Sequence, residues 1–271
     1  VSLTYVIPWQ DPALEKLSFE LKGLNEQRGD VETTGGTFTA GLTQVRGRWQ
    51  RVLSLTLDST EDEVTTSTGS STQIDRSRSQ LIVPGISFAR LPPDFLGTNA
   101  VATGLRAELL ASTSQLGSDT DFTRLNVRDD RRFRLSDRWQ VYVRAEIGAS
   151  LVGEFDELPA TYRFFAGGDQ SVRDYGYQEL SPVDENGNKV GGRHLLTGTI
   201  ELQRSLPRNL VAAVFVDAGN AFNTFGDPLE YSLGIGLRYR LPFLSVGLDV
   251  AQSVSESGRN PRLHINFTPE F

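Results

Sequence analysis

The run Leu233-Gly234-Ile235-Gly236-Leu237-Arg238-Tyr239-Arg240 alternates without a break, with large apolar or aromatic side chains at odd positions and glycine or arginine at even ones. Successive side chains on an extended backbone point to opposite sides, so a period of two marks a strand with two unlike faces. The second face decides what kind of sheet this is. A soluble β-sandwich predicts a dense Leu/Ile/Phe inner face, a polar outer one and shorter strands. Here the second face carries Arg, Glu, Asp, Gly and Thr, which suits a water-filled interior with lipid on the other side.

The same pattern spreads outward in both directions. Leu244, Val246, Leu248 and Val250 oppose Ser245, Gly247 and Asp249, and Leu263, Ile265 and Phe267 oppose His264 and Asn266. Upstream, Val214 and Val216 oppose Phe215 and Asp217, Ile200 and Leu202 oppose Thr199, Glu201 and Gln203, and Trp139 to Ile147 alternate with Gln140 to Glu146. Val1 to Ile7, Leu17 to Leu21, Phe38 to Leu42, Leu53 to Leu57, Leu81 with Val83, and Val101 to Ala111 repeat it. That makes about thirteen segments, most near the roughly 9–11 residues a tilted membrane strand needs. Between them the sequence predicts a polar connection at Asn25–Asp30, a surface loop over 59–73, a bulge at Pro84-Gly85 and a turn at Leu91-Pro92-Pro93-Asp94. The charged stretch from Phe122 to Arg134 reads as projecting beyond the hydrocarbon, and Pro182–Gly192 as a flexible acidic insert with a turn at Asn186-Gly187.

Composition agrees with a two-faced sheet. Of 271 residues 38% are hydrophobic and the net charge is −7. A lipid-facing barrel needs only every second residue to be apolar, so low mean hydropathy does not argue against a membrane. No run reaches the roughly 18–20 apolar residues of a transmembrane helix. Cysteine is absent, which removes disulfide and thiol chemistry. The acidic balance lacks the basic stripe a nucleic-acid partner calls for.

One stretch is neither strand nor tight turn: Arg163-Phe-Phe-Ala-Gly-Gly-Asp-Gln-Ser-Val-Arg-Asp-Tyr-Gly-Tyr-Gln178. Its paired aromatics and glycines describe a packed, sharply bent loop. It resembles the signature loop of the outer-membrane assembly superfamily, the POTRA-bearing β-barrel insertases that include BamA, TamA and the two-partner-secretion transporters. The family motif is Val/Ile-Arg-Gly-Tyr/Phe; Val172, Arg173 and Tyr175 fit it, and Asp174 stands where the family has glycine. Arg163–Asp169, with Gly167 and Gly168, is most similar to the TamA branch, the membrane subunit of a translocation and assembly module. The resemblance implies an all-β, transmembrane antiparallel barrel of sixteen strands. On that count Val1 begins the fourth, and this chain (1–271) is an incomplete piece lacking the first strands and the POTRA domains, with a signature loop folded into the lumen over about 153–193.

A guanidinium carried into a lumen needs a carboxylate to hold it, and Asp217 and Glu201 have the parity for that. The resemblance of Val214–Gly219 to a family strand assigns the pairing with Arg173 to Asp217 and the packing to Phe215, with Glu201 matching a lumen acid of the neighbouring strand. Asp174 implies either ordinary backbone where glycine would tolerate a positive φ, or strain. The alternating end, Leu263, Ile265, Phe267 and the terminal Phe271, resembles the signal by which outer-membrane strands are recognised, and is expected to form a seam strand. By resemblance the partners are nascent outer-membrane proteins and autotransporters, outer-membrane lipid and a TamB-like inner-membrane-anchored protein. The function implied is barrel insertion through a weak lateral seam, with a two-partner-secretion polypeptide transporter and a passive porin as alternatives.

Signals for catalysis are weak. His194 and His264 are the two histidines, and neither stands in a nucleophile elbow or metal-ligand spacing. His264 with an acid such as Asp249 is the pair a barrel enzyme would use, against the plainer reading of a lumen-facing polar residue. Gly167-Gly168-Asp169 lacks the lysine and spacing of a phosphate loop. The expectation is therefore no enzyme, no metal and no cofactor.

Overall fold

The computed structural model describes residues 1–68, 71–91, 104–256 and 258–269. The turn expected at Pro92–Asp94, the positions Val101 and Thr103, and Phe271 lie outside them. Thirteen strands follow in chain order: β1 (Ser2–Pro8), β2 (Glu15–Arg28), β3 (Val31–Arg46), β4 (Trp49–Thr68), β5 (Ser71–Arg90), β6 (Arg106–Ser112), β7 (Phe122–Arg134), β8 (Trp139–Val152), β9 (His194–Ser205), β10 (Leu210–Phe222), β11 (Glu230–Arg240), β12 (Leu244–Ser253) and β13 (Arg262–Pro269). They form one all-β antiparallel sheet in sequence order, with β1 and β13 as its edges. This is a meander and needs no crossover.

Register carries the sequence parity across the wall. Leu202, Val214, Ile235, Val250 and Leu263 lie opposite one another in one row, and Thr199, Asp217, Ser232 and Ser253 in another. The first row faces outward and the second inward: Ile235 is 63% exposed and Leu263 58%, whereas Asp217 and Ser232 are both 0%. A polar interior with an apolar exterior inverts a soluble protein and matches a barrel wall in lipid.

Several interruptions expected from sequence are strand. β2 runs through Asn25 to Arg28 and only Gly29 and Asp30 turn the chain. The 59–73 stretch is a continuation of β4 and β5, paired through Thr68↔Ser71. β-Branched threonines favour extended backbone, and cross-strand ion pairs of Arg76 with Glu63 (2.8 Å) and Arg78 with Glu61 (2.7 Å) line its face. No bulge forms at Pro84, because Pro84↔Leu55 and Gly85↔Ser54 stay in register. Ile82 N–H points to the Ser118 hydroxyl, so the Pro84 nitrogen, two residues on, points to the same side. The β5–β6 ladder begins only at Gly85, and the missing donor therefore costs no ladder bond.

The charged run in β7 is also regular, pairing β8 through Arg134↔Gln140, with Arg131 bonded to Asp129 at 2.7 Å. Nor is Pro182–Gly192 loose. Asp184 Oδ1 accepts from the Asn186 and Asn188 amides at 2.8 Å, and the Lys189 amide donates to Asp30 Oδ2 at 2.7 Å.

Residue parity on β13 yields a test. Charge at a lipid-facing midplane site costs about 2–4 kcal/mol and at a lumen site much less. In the full-length protein, Ile265→Arg is expected to reduce the heat-modifiable folded fraction far more than Asn266→Arg, whose new guanidinium would stand near the Asp249 carboxylate that Asn266 now contacts at 3.1 Å. Equal losses would show that the two faces are misassigned.

Candidate functional site: a buried arginine under the inner loop

The connection between β8 and β9 folds back against the inner face of the sheet. Gly167 and Gly168 make the bend, with φ of 99° and 100°, a region L side chains avoid. A Cβ on Gly167 would collide with the Gly176 carbonyl. Gly168 N–H donates to the Tyr175 carbonyl at 3.0 Å and Gly167 N–H to Ser171 Oγ at 3.1 Å. Val172 is fully buried with Phe164, Ala166, Tyr175, Leu180, Leu195 and Ala221, so the loop has a small core of its own.

This packing aims Arg173 at three carboxylates. Its Nε and Nη2 donate to Asp217 at 2.8 and 2.9 Å, its amide to the same group at 3.2 Å, and its Nη1 to Glu201 at 3.0 Å and Asp249 at 3.2 Å. The guanidinium carbon lies 3.2 Å from the Phe215 ring centroid, a cation–π contact. Phe215 has room because its register partner is Gly234, where a Cβ would strike the ring. Burial alone would lower the guanidinium pKa; the Asp217 hydrogen bonds and charge outweigh it and raise it. Asp217 also accepts from Thr199 at 2.8 Å and Ser232 at 3.3 Å. Arg238 donates to Glu201 at 2.9 Å and Asp249 at 3.3 Å. Arg144 donates to Thr199 at 2.8 Å and the Ser171 carbonyl at 3.3 Å.

Asp217, Glu201 and Phe215 thus meet Arg173 as the sequence places them, but the single pair becomes a shared cluster. Asp249, Arg238 and Arg144 are additional members. Their signal was available: each is a charge on the inner parity of its strand. His264 contacts Asp169 of the loop instead of Asp249.

The remaining motif positions are settled by neighbours. Tyr175 donates to Glu230 at 2.6 Å; burial and then that carboxylate push its phenol up to about 12. Positive φ among described non-glycine residues is confined to Gln178, Arg208 and Asn209, so Asp174 has ordinary backbone. Its carboxylate pairs with Arg259 Nε at 3.1 Å, in the connection before β13. Arg259 also holds Glu179 at 2.7 Å and lies 4.4 Å over the Tyr175 ring. At the other end of the loop, Tyr162 donates to Asp58 at 2.9 Å and the Ala160 amide to Asp62 at 2.7 Å. Leu263 (58%), Ile265 (57%) and Phe267 (65%) are exposed on the outer face of edge strand β13.

Removing one partner of a buried ion pair costs about 3–5 kcal/mol. Arg173→Ala in the full-length protein is expected to approach that cost, read as protease sensitivity of 153–193, because it deprives three acids at once. Asp217→Asn should cost less, since Glu201 and Asp249 still hold the guanidinium, and the double variant less than the sum of the two. Strict additivity would mean that Arg173 and Asp217 act separately. Of the second pair, Arg259→Ala should loosen the loop more than Asp174→Gly. The first strands a buried carboxylate, while the second leaves an arginine that still has Glu179 and Glu256. The reverse order would make the Asp174–Arg259 pair incidental.

Comparisons with known proteins bear on the family and the fold. BamA of Nitratidesulfovibrio vulgaris (strain Hildenborough), an outer membrane protein assembly factor, is 28% identical over 135 residues, 47% of this chain and 17% of that protein. Among solved structures, BamA from Haemophilus ducreyi lacking POTRA domains 1–3 superposes with a TM-score of 0.70 at 17% identity, over 98% of this chain and 60% of that one. CdiB from Acinetobacter baumannii gives 0.57 at 14%, over 98% and 48%. The chain spans between 17% and 60% of the length of these relatives, and the likenesses to solved structures carry the fold. Residues 1–268 match the Omp85 superfamily domain, and the chain belongs to that superfamily of integral outer-membrane β-barrel proteins.

Proposed function

We propose that this chain is the membrane-embedded part of a factor that helps insert and translocate autotransporters and other β-barrel proteins at a weak lateral seam formed by β13, and that it acts without catalysis. The observation that carries this reading is a loop built to grip both the last strand and the wall beside it. β13 is short, Arg262–Pro269, and pairs with β12 from Ala251↔Arg262 to Leu244↔Pro269. Strand backbone unpaired by the opening of such a seam is a template for another strand in lipid, since no water is there to satisfy it. The loop meets β13 through Asp169–His264, and through Glu179–Arg262 at 3.4 Å.

Within the superfamily the TamA branch is the reading favoured by Arg163–Asp169, with a TamB-like inner-membrane-anchored partner in the intact protein. Asp174 departs from the shared motif, and its pairing with Arg259 supplies a local reason for an acid there.

A photo-crosslinker at Phe267 of the full-length protein is expected to capture strands of an autotransporter arrested during assembly. One at Ile200, on the outer face of an interior strand, should capture lipid only. Client crosslinks at Gln170 or Arg132 on the inner side, with none at Phe267, would overturn the seam and favour polypeptide passage through the lumen. A large, steady planar-bilayer conductance would favour a porin.

A further inference from the structure

A second surface, remote from the loop, has chemistry of its own. Between strands the chain turns at 47–48, 135–138, 206–209 and 241–243 at one end of the wall, which also holds the 9–14 and 91–105 connections, and at the other end it turns at 29–30 and carries the 113–121, 153–193, 223–229 and 254–261 connections. Outer-membrane barrels put short turns on the periplasmic side and long loops outside. Glu154, Asp156, Glu157, Asp184, Glu185 and Asp227 stand at the long-loop end, where Arg76, Arg78 and Arg259 are paired with carboxylates, and Arg46, Arg90 and Arg204 stand at the short-turn end.

These last three are on the outer, lipid-facing parity. Arg46 and Arg90 are the direct register partners of Trp49 on its two sides, so one tryptophan is flanked by two guanidiniums in a single row. That row continues the outward parity of Phe38, Leu53 and Phe88, each about two-fifths exposed. Across the sheet the arrangement recurs: Trp139 is the register partner of Arg204, whose guanidinium lies 5.2 Å from its ring. Both tryptophans are exposed, at 43% and 37%. The carboxylates on the same face are already engaged, Glu15 by Gln44 at 2.8 Å and Asp129 by Arg131 at 2.7 Å, while Asp137 in the adjacent turn is held by Arg134 at 2.7 Å. Arg46, Arg90 and Arg204 make no carboxylate contact among the described residues. By contrast Arg76 and Arg78, at the other end, are both neutralised by Glu63 and Glu61.

Aromatic rings settle at the headgroup level of a bilayer, and long basic side chains beside them reach its polar layer. A guanidinium binds a phosphate bidentately. We infer that the outward-facing Arg46–Trp49–Arg90 row and the Trp139–Arg204 pair bind the phosphate headgroups of anionic glycerophospholipids in the leaflet on the short-turn side. This belt fixes the depth of the wall and gathers acidic lipid beneath it, whatever the barrel does at its seam.

The full-length protein is placed in nanodiscs of phosphatidylcholine with a minority of phosphatidylglycerol, released into mild detergent, and its retained lipids counted by native mass spectrometry. Wild-type protein is expected to retain phosphatidylglycerol over phosphatidylcholine, less so at raised salt. The Arg46→Gln/Arg90→Gln/Arg204→Gln variant should lose that preference by about fivefold for each arginine removed, while Arg76→Gln/Arg78→Gln should retain it. The inference is overturned if wild type shows no preference, if the triple variant equals wild type, or if the Arg76/Arg78 variant is the one that loses it. It is overturned too if lipopolysaccharide added to the discs displaces the phosphatidylglycerol. Should the triple variant fail to give a heat-modifiable barrel, the single variants Arg90→Gln and Arg204→Gln decide, a graded loss supporting the belt and an unchanged ratio sinking it.

Discussion

A guanidinium taken out of water has to be met by carboxylates, and the inner face of this sheet is arranged around that requirement. Arg173 is 4% exposed and its acids are 0–2% exposed, a setting in which desolvation rivals attraction and geometry decides the sign. The geometry is close: the fork meets Asp217 at two points, and the remaining nitrogen is shared between Glu201 and Asp249. Three acids around one cation would repel one another, and Arg238 bridges two of them. The glycines of β11 follow from the same demand. Gly234 clears the Phe215 ring on which Arg173 rests, and at Gly236 a Cβ would strike the Asp249 carboxylate. The alternation that reads as apolar against small is therefore a strand thinned on one side to admit a charge cluster.

Which parts of this were legible in the sequence depends on contrast between faces. From β8 to β13 one face meets lipid and the other a packed polar lumen, so alternation is sharp and the residue facing each way can be assigned from sequence. The β4–β5 hairpin beyond Ser59 has polar residues on both faces, and a strand without contrast looks like a loop. Its backbone is held instead by ladder hydrogen bonds and by pairs such as Glu61–Arg78, which no periodicity reports. Pro84 misleads for a different reason: a proline marks a defect only when its nitrogen faces a partner, and that depends on where the next strand begins.

The charge cluster was legible in part for a related reason. Asp217 and Glu201 lie in adjacent strands, where a motif and parity suffice. Asp249 lies two strands from Asp217, and placing it on the same guanidinium requires knowing that Arg173 reaches across Gly234 and Gly236. Asp174 is a sharper case. A glycine-to-acid change inside a bend suggests strain when only the bend is considered, yet its cause is Arg259, some eighty positions later in the chain, whose proximity depends on the long connection folding inward.

The same connection joins parts of the wall that the sheet alone holds far apart. Its base is tied to β4 by Tyr162–Asp58 and Ala160–Asp62, its middle to β9, β10 and β12 by Arg173, and its tip to the β12–β13 connection by Asp174–Arg259. Glu179–Arg262 and Asp169–His264 then reach β13 itself. A strand of eight residues, Arg262–Pro269, carries few ladder bonds, and side chains on its inner face become a large share of what holds it. Those side chains are bonded to the loop, and the loop to four other strands. Displacement of β13 therefore cannot be a local event: the bonds it strains belong to a strut whose other end is seated on β4, and the buried arginine sets how stiff that strut is.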